Sequence, residues 1–385
     1  MSRLASLLLA TPWILGPVIT GVRARFSRSL DDERAEPLRE PPLVSLVIPA
    51  RNEARNIRRC VESALASTYP RLEVIVVDDH STDDTGAIVQ AIANTDARLR
   101  VITPPALPDG WFGKQWACAA GAREARGELL GFMDADTWQA PDLVTRVVNA
   151  MLARGSDLLS VAGMQELGSF WERMIQPQIF AIMLQRFGGT ELVNGSRNVS
   201  QKIANGQCLW VRRDTYDALD GHAAVKHEVA EDLALAQSWF RAGRTVTLVL
   251  GLAQLSTRMY TSLRELIEGW GKNIYAGGRK AMPLGAIGRV IYPLLLVTPG
   301  LLGMVPPIVL ALGLLGFVGA GTLTWAAIAT GANLVWWLLV YRWLRLSPVY
   351  ALLHPLGSAM VLYIALGAIA RGRRVRWKER EYRAA

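Results

Sequence analysis

Two aspartates, Asp134 and Asp136, stand one residue apart where the apolar run in GFMDADTW, residues 131–138, ends. In an extended segment, residues i and i+2 face the same side, so both carboxylates can address one site. Carboxylate oxygens suit Mg²⁺ or Mn²⁺, and Mg²⁺ is commonly held by one or two protein carboxylates together with substrate phosphates. We therefore expect a divalent metal at Asp136 and Asp134, although such a pair alone is a weak motif.

Further acids follow two earlier apolar runs. Glu53 comes shortly after LVSLVIP, and Asp78 and Asp79 end LEVIVVDD. Helical spacing of apolar residues follows each run, over residues 53–67 and 85–93, and a third helix is predicted to begin near Lys114. Strands that alternate with helices predict an α/β fold with a mostly parallel sheet, whose ligands bind at the carboxyl ends of the strands. Acids that meet there repel each other unless a cation or hydrogen-bond donors intervene.

A separate pair of acids, Glu231 and Asp232, lies in EVAEDLALA. Leu233, Leu235 and Ala236 follow at core-like spacing, which places both acids in the first turn of a helix, where the helix dipole favours an ionised carboxylate. An acid at this position is either a general base or a helix-capping group.

The composition predicts a membrane protein. Of the 385 residues, 51% are hydrophobic, and the formal net charge is +9. Leu4–Val22 carries no charge and is followed by Arg23, Arg25 and Arg28, which predicts a membrane helix with a cytoplasmic basic flank. The alternative is a cleaved signal peptide, but Arg3 gives only a thin basic region and no small-x-small cleavage site follows PWILGP.

The C-terminal region is almost continuously apolar from Ile287 to about Ala370. Its breaks predict three spans, within Val290–Phe317, near Leu323–Tyr341 and near Val349–Ile369. The basic tail RGRRVRWKER favours the cytoplasm, which an odd number of crossings contradicts. Either VTPGLLGMVPP divides the first segment, giving four, or LLHPLG makes the last one re-entrant. The predicted domains are residues 1–42 (anchor and linker), 43–282 (catalytic) and 283–385 (membrane helices and tail).

Charge and cysteine content exclude other classes of protein. Membrane-flanking segments account for the basic excess, and no nucleic-acid recognition motif is present, so we expect no nucleic-acid partner. Cys60, Cys118 and Cys208 are too widely separated for a metal site and are typical of buried small side chains. His222 and His227 have too few partners for a zinc site.

Four segments together resemble the family 2 glycosyltransferases, whose catalytic domain has the GT-A nucleotide-sugar fold. They are VSLVIPARNE, VIVVDDHSTDDT, GWFGKQWACAAGAREARGELLGFMDAD and EVAEDLALA. The resemblance covers Leu43 to about Gly278. It is closest to the membrane branch that glycosylates lipids such as carotenoids and hopanoids, which also has an N-terminal anchor and C-terminal helices.

The resemblance implies a role for each candidate residue. The nucleoside pocket would be lined by Pro49, Ala50, Arg51 and Glu53, with Asp78 reading the uracil ring and Asp79 nearby. Asp134 would reach the ribose and the metal. Asp136 would bind the metal that bridges the diphosphate. Lys114 would place a positive charge beside the phosphates, or else is a solvated lysine at a helix start. Asp232 would be the base, and the acceptor site would involve Glu231, His222 and Trp270.

Two amphipathic segments bear on the acceptor. They are Phe170–Phe187 and SLRELIEGWGKNIYAGGRK, residues 262–280, and each is either an interfacial helix or plain core. Because the domain is tethered to the membrane at both ends, we favour docking on the bilayer, from which a lipid acceptor would enter. The catalytic domain is expected on the cytoplasmic side of the inner (cytoplasmic) membrane.

Processive polysaccharide synthases carry a Gln-x-x-Arg-Trp motif in this region, whereas the chain has RELIEGWGKN. This favours an inverting transfer of one sugar from a nucleotide sugar, UDP-glucose or similar, to a membrane lipid. The alternatives are a polysaccharide or polyprenyl-phosphate sugar synthase and, from another class, a noncatalytic nucleotide-sugar sensor or scaffold. A noncatalytic protein would have lost an essential acid, but Asp78, Asp136 and Asp232 are all present.

Overall fold

The computed structural model describes residues 2–283, 285–372, 374–377 and 380–383. The strands are β1 Val44–Ala50, β2 Leu72–Asp78, β3 Leu99–Ile102, β4 Leu129–Met133, β5 Thr137–Gln139, β6 Leu158–Gln165, β7 Cys208–Arg212, β8 Val246–Thr257, β9 Arg374–Trp377 and β10 Arg380–Arg383. The helices are α1 Arg3–Ala24, α2 Ile57–Leu65, α3 Thr85–Ala93, α4 Gly113–Glu124, α5 Leu143–Arg154, α6 Phe170–Phe187, α7 Thr190–Gly195, α8 Arg213–Ala218, α9 Glu231–Arg241, α10 Leu263–Lys280, α11 Gly285–Leu314, α12 Ala320–Trp343, α13 Val349–Leu352 and α14 His354–Arg371. Short 3₁₀ helices cover Leu30–Asp32, Val199–Gln201 and Gly221–Val225.

These elements form two compact units. The described residues within 27–166, 190–259 and 373–385 make up the sheet unit, and those within 2–26, 167–189 and 260–372 make up the helical unit. Each unit is therefore assembled from segments that are distant in the sequence.

The sheet unit is built on one sheet that, in the described part of the chain, has eight strands in the order β3-β2-β1-β4-β7-β6-β8-β5. Strands β1 to β4 are parallel, as the alternation of strands and helices predicted. Strand β7 runs antiparallel between β4 and β6, and β5 runs antiparallel to β8. The predicted α/β class is confirmed, and the two reversed strands are added to it.

The strand register brings the carboxylates to one edge. Ala50 pairs with Asp78, so β1 and β2 end side by side. Cys208 at the start of β7 pairs with Met133 at the end of β4, because β7 is reversed. We call the ends of β1, β2, β4 and β6, together with the start of β7, the carboxyl edge.

Successive strand residues point to opposite faces of the sheet and bury two separate cores. Leu46 and Ile48 pack in the core that includes α2, α3 and α5, whereas Val47 packs in the core that includes α4 and α9. The three cysteines of the chain are free and buried. Burial raises the pKa of the Cys60 thiol, which makes it a poor nucleophile at neutral pH.

Three helices of the helical unit, within the described residues, are long and apolar enough to cross a membrane: Leu4–Ala24, Gly285–Leu314 and Ala320–Trp343. They leave large apolar side chains exposed, among them Leu8, Val290 and Leu339. The first corresponds to the predicted anchor, and the other two correspond to the first two predicted C-terminal spans. The Pro-rich segment VTPGLLGMVPP does not divide its helix, because Pro299, Pro306 and Pro307 all lie inside α11.

The region of the third predicted C-terminal span, near Val349–Ile369, contains two helices, α13 and α14. The break falls at Leu353, two residues before Pro355, which occupies the first turn of α14. Beyond it, the described parts of the basic tail pair as the antiparallel strands β9 and β10.

The two amphipathic segments are helical, as predicted, and both lie in the helical unit as α6 and α10. Helix α6 buries Met174, Ile175 and Ile179. Its Gln178 Nε2 donates to the His354 carbonyl over 2.9 Å, and Ser358 Oγ donates to Gln178 Oε1 over 2.9 Å. One face of α6 is therefore used for packing against α14.

Candidate active site

At one end of the carboxyl edge, hydrogen bonds connect the end of β1 to the loop after β2. The Asp79 N–H donates to the Ala50 carbonyl over 2.8 Å. Arg51 Nη1 donates to the carbonyls of Asp79 and His80 over 2.6 and 3.2 Å. The segment that begins at Pro49 is thus held next to Asp78 and Asp79, and the role of these residues toward a nucleoside stays a prediction.

Two acids at this end accept hydrogen bonds from neutral donors. Asp78 Oδ1 accepts from the Ser81 N–H over 3.1 Å. Gly86 leaves room for this carboxylate, since a Cβ there would lie 2.8 Å from Asp78 Oδ2. Glu53 donates its N–H to Thr85 Oγ1 over 2.8 Å, and its carboxylate accepts from Asn56 over 3.2 Å. We name the segments 49–53 and 78–81 the nucleotide end.

Lys114 joins three segments at the other end of the edge. Its Nζ lies 2.7 Å from Asp134 Oδ1 and 2.8 Å from Glu231 Oε1, and it donates to the Gly206 carbonyl over 3.3 Å. Burial alone would lower the pKa of Lys114, but the carboxylates of Asp134 and Glu231 outweigh it and raise the pKa well above its usual value. Lys114 is therefore a charged bridge and not a solvated lysine.

Asp232, the predicted base, lies in the first turn of α9 with both carboxylate oxygens engaged. Oδ2 accepts from the Gly206 N–H over 2.8 Å, and Oδ1 accepts from the Leu233 N–H over 2.7 Å. Burial, followed by the neighbouring Glu231 carboxylate, raises the pKa of Asp232 to about 6. A carboxylate with a pKa this close to neutrality can accept a proton in a reaction. We name Lys114, Asp134, Gly206, Glu231 and Asp232 the base end.

Gly206 was missed by sequence analysis. Its N–H holds Asp232 and its carbonyl holds Lys114, and an added Cβ would lie 3.2 Å from Asp232 Cβ and Oδ2. The next residue, Gln207, accepts the Asp134 N–H on its carbonyl over 3.1 Å. A polar N-G-Q turn directly before the apolar strand CLWV was the signal that could have identified this loop.

The two aspartates predicted to hold a metal lie at the end of β4. Burial raises the pKa of Asp134 although the ion pair with Lys114 opposes it. Asp136 Oδ1 accepts from Thr137 Oγ1 over 3.4 Å. In the described ranges, no group of three or more His, Cys, Asp or Glu side chains converges on one point. The donor set fits an ion shared with a diphosphate, as Mg²⁺ commonly is, and not a closed protein cage.

His222 and Trp270, predicted near the acceptor, are both buried in packing positions. The His222 ring lies 4.5 Å from the Phe132 ring, its Nδ1 lies 2.9 Å from the Tyr216 hydroxyl, and burial lowers its pKa to about 3. Trp270 belongs to the helical unit, where it packs edge-on against Phe180. Their roles toward an acceptor stay predictions.

Comparison with known proteins finds a family model and relatives that match part of the chain. Residues 45–219 match the model of Glycosyl transferase family 2. The 4,4'-diaponeurosporenoate glycosyltransferase of Staphylococcus haemolyticus (strain JCSC1435) is 27% identical over 289 residues, which are 74% of each chain. The protein of the same name from Staphylococcus aureus (strain MRSA252) is 30% identical over 254 residues, so that the match spans 63% of this chain and only 64% of that relative's length.

A solved structure has the same fold. The mannosyltransferase PcManGT from Pyrobaculum calidifontis, in complex with GDP-Man and Mn2+, superimposes with a TM-score of 0.53 at 18% identity. The match covers 96% of this chain and 98% of that one. The sheet unit accordingly has the GT-A architecture that the sequence predicted.

Proposed function

We propose that the chain, whose residues 45–219 match the model of Glycosyl transferase family 2, transfers one sugar, with inversion, from a UDP-sugar such as UDP-glucose to a membrane lipid. The relatives named for diaponeurosporenoate support a carotenoid or similar terpenoid as the acceptor. The observation that carries the proposal is the partly exposed Asp232 carboxylate, held by two backbone N–H groups beside the Lys114 bridge to Asp134.

The chain's own groups perform the proton transfer. Asp232 accepts the proton of an acceptor hydroxyl as that oxygen attacks the anomeric carbon, and the nucleoside diphosphate leaves from the opposite side. The N–H groups of Gly206 and Leu233 fix the carboxylate, so it does not have to reorganise during the reaction. An acceptor that is already a carboxylate, as the names of the relatives indicate, needs little help from a base.

A divalent ion completes the proposal. Asp136 and Asp134 would hold Mg²⁺ or Mn²⁺, which when bound supplies the positive charge that stabilises the departing diphosphate. The carboxylates at this edge would otherwise repel a diphosphate. Pro49, Ala50, Arg51, Glu53, Asp78 and Asp79 are proposed to bind the nucleoside.

The acceptor side is proposed from the membrane features. The three apolar helices support membrane association. Arg23, Arg25 and Arg28 after the first helix favour a cytoplasmic catalytic domain at the inner membrane. The proposed catalytic domain, residues 43–282, then includes α6 and α10, and the amphipathic face of α10 suits the headgroup layer where a lipid acceptor would enter.

The test uses membranes that contain the full chain, supplied with UDP-glucose, Mn²⁺ and diaponeurosporenoate. We expect a lipid-soluble product heavier by one hexose, and we expect Asp136→Ala to abolish it. Products with many added sugars would favour a processive synthase. Unchanged turnover by Asp136→Ala would remove the metal role, and the absence of any glycosylated product with all nucleotide sugars tried would contradict the proposed activity.

A further inference from the structure

Three carboxamide side chains meet beside the base end of the carboxyl edge. Gln207 Oε1 accepts from Gln165 Nε2 over 3.0 Å and from Asn205 Nδ2 over 3.1 Å. We call Gln165, Asn205 and Gln207 the amide cluster. Gln165 ends β6 just after a register irregularity between Gly163 and Met164, and irregularities of this kind often redirect a side chain next to an active site.

The cluster is internally bonded but incomplete. Gln165 Oε1 is buried and accepts no hydrogen bond from the residues that the structure describes. Gln207, only 6% exposed, has its Oε1 fully used by its two neighbours. A buried amide oxygen without a partner is costly, and a ligand that donates a hydrogen bond removes that cost.

The backbone of the same loop fixes where the cluster lies. The Gln207 carbonyl accepts from the Asp134 N–H, and the Gly206 N–H donates to Asp232. The loop that carries Asn205 and Gln207 therefore adjoins both the aspartate proposed for the metal and the proposed base. In an in-line transfer, the sugar must lie between the diphosphate and the acceptor oxygen, so the cluster lies beside the place that the sugar would occupy.

We propose that Gln165 and Gln207 bind hydroxyl groups of the donor sugar and thereby select a neutral hexose. This inference rests on the proposed function. Carboxamides carry no charge and both donate and accept, which matches hydroxyl groups. A uronic acid would need a cation for its carboxylate, and the nearby Lys114 is already engaged by Asp134 and Glu231.

The test measures equilibrium binding to the full chain in detergent with Mn²⁺ present, using UDP, UDP-glucose, UDP-galactose and UDP-glucuronate as probes. We expect the wild type to bind at least one of the two UDP-hexoses more tightly than UDP or UDP-glucuronate. Gln165→Leu and Gln207→Leu should each weaken binding of that UDP-hexose by about fivefold to tenfold, the effect of one lost neutral hydrogen bond, and leave UDP binding unchanged.

The matched control is Gln237→Leu, which removes another buried amide of the sheet unit, on α9, whose Nε2 has no hydrogen-bond partner among the described residues. It should leave the ratio of UDP-hexose to UDP affinity unchanged. If the Gln165 and Gln207 variants weaken UDP and UDP-hexose equally, or weaken neither, the cluster only supports the loop and the inference is wrong. If the wild type binds neither UDP nor any UDP-sugar, the proposed function fails and the inference fails with it; lipid glycosylation by the wild type tests the activity separately.

Discussion

Both ends of the carboxyl edge carry acidic residues, but the surroundings of those residues differ. At the nucleotide end, Asp78 accepts from a backbone N–H, and Glu53 accepts from an asparagine amide. At the base end, Asp134 and Glu231 share one lysine, and burial raises the pKa of Asp232 to about 6. We therefore propose that environment, and not residue type, separates the acids assigned to nucleotide binding from the acid assigned to proton transfer.

Asp232→Asn is expected to have the largest effect at the base end, because it keeps the shape of the side chain and removes the carboxylate that would act as the base. We expect kcat with a hydroxyl acceptor to fall on the order of 10³-fold, the usual contribution of a general base. Binding of the UDP-sugar should change little. Steady-state kinetics and titration with UDP-sugar check both expectations, and full transfer to a hydroxyl acceptor by this variant would show that Asp232 is not the base.

Gly206→Ala perturbs the base end without removing a charge. The added Cβ would lie 3.2 Å from Asp232 Oδ2 and 3.3 Å from Glu231 Oε1, so the base must shift. We expect kcat to fall about tenfold to a hundredfold, as a displaced catalytic group commonly causes. The control is Gly195→Ala, since a Cβ at Gly195 meets nothing within 4 Å. Equal kinetics for the two variants would contradict the role of the loop.

The pH dependence of kcat tests the raised pKa of Asp232. Because the pKa of Asp232 is raised to about 6, the carboxylate is protonated below that pH and cannot accept a proton. With a hydroxyl acceptor, kcat should therefore fall about tenfold per pH unit as the pH drops below about 6. The residual activity of Asp232→Asn should lack this decline. A wild-type profile that stays flat down to pH 4.5 would exclude Asp232 as the titrating base.

The smallest effect is expected at the nucleotide end. Asp78→Asn can keep the hydrogen bond from Ser81 but changes the acceptor offered to the uracil ring. We expect KM for the UDP-sugar to rise about tenfold with kcat nearly unchanged, the pattern of lost uniform binding. A fall in kcat without a change in KM would place Asp78 in the chemistry and remove the contrast between the two ends.

Local patterns in the sequence predicted the first half of the sheet well. The runs LVSLVIP and LEVIVVDD are β1 and β2, and the helix predicted over Thr85–Ala93 has those bounds in the structure. These elements are read from apolar spacing alone, and a parallel arrangement then forces Glu53, Asp78 and Asp134 to one edge. The sequence therefore predicted the position of most of the candidate acids in the fold.

The remaining features depend on contacts between distant residues. Lys114 and Gly206 are 92 residues apart, and the spacing of apolar residues in the sequence does not predict such a contact. The N-G-Q turn marks the start of the reversed strand β7 but does not determine which strands β7 pairs with. Likewise, the amphipathic pattern of α6 showed that one face is apolar but not that Met174 and Ile175 would be used for packing in the helical unit.

The hydrogen bond from Gly206 to Asp232 comes from the peptide backbone, so it survives any exchange of the flanking side chains that preserves the loop. Gln207 is then a natural position for a combinatorial library, whereas Asn205 should be kept because its side chain bonds the Gln207 N–H and the Val161 carbonyl. On the proposed roles, such a library would explore new donor sugars while the proton acceptor stays where it is, which makes this loop a starting point for engineering glycolipids of altered headgroup.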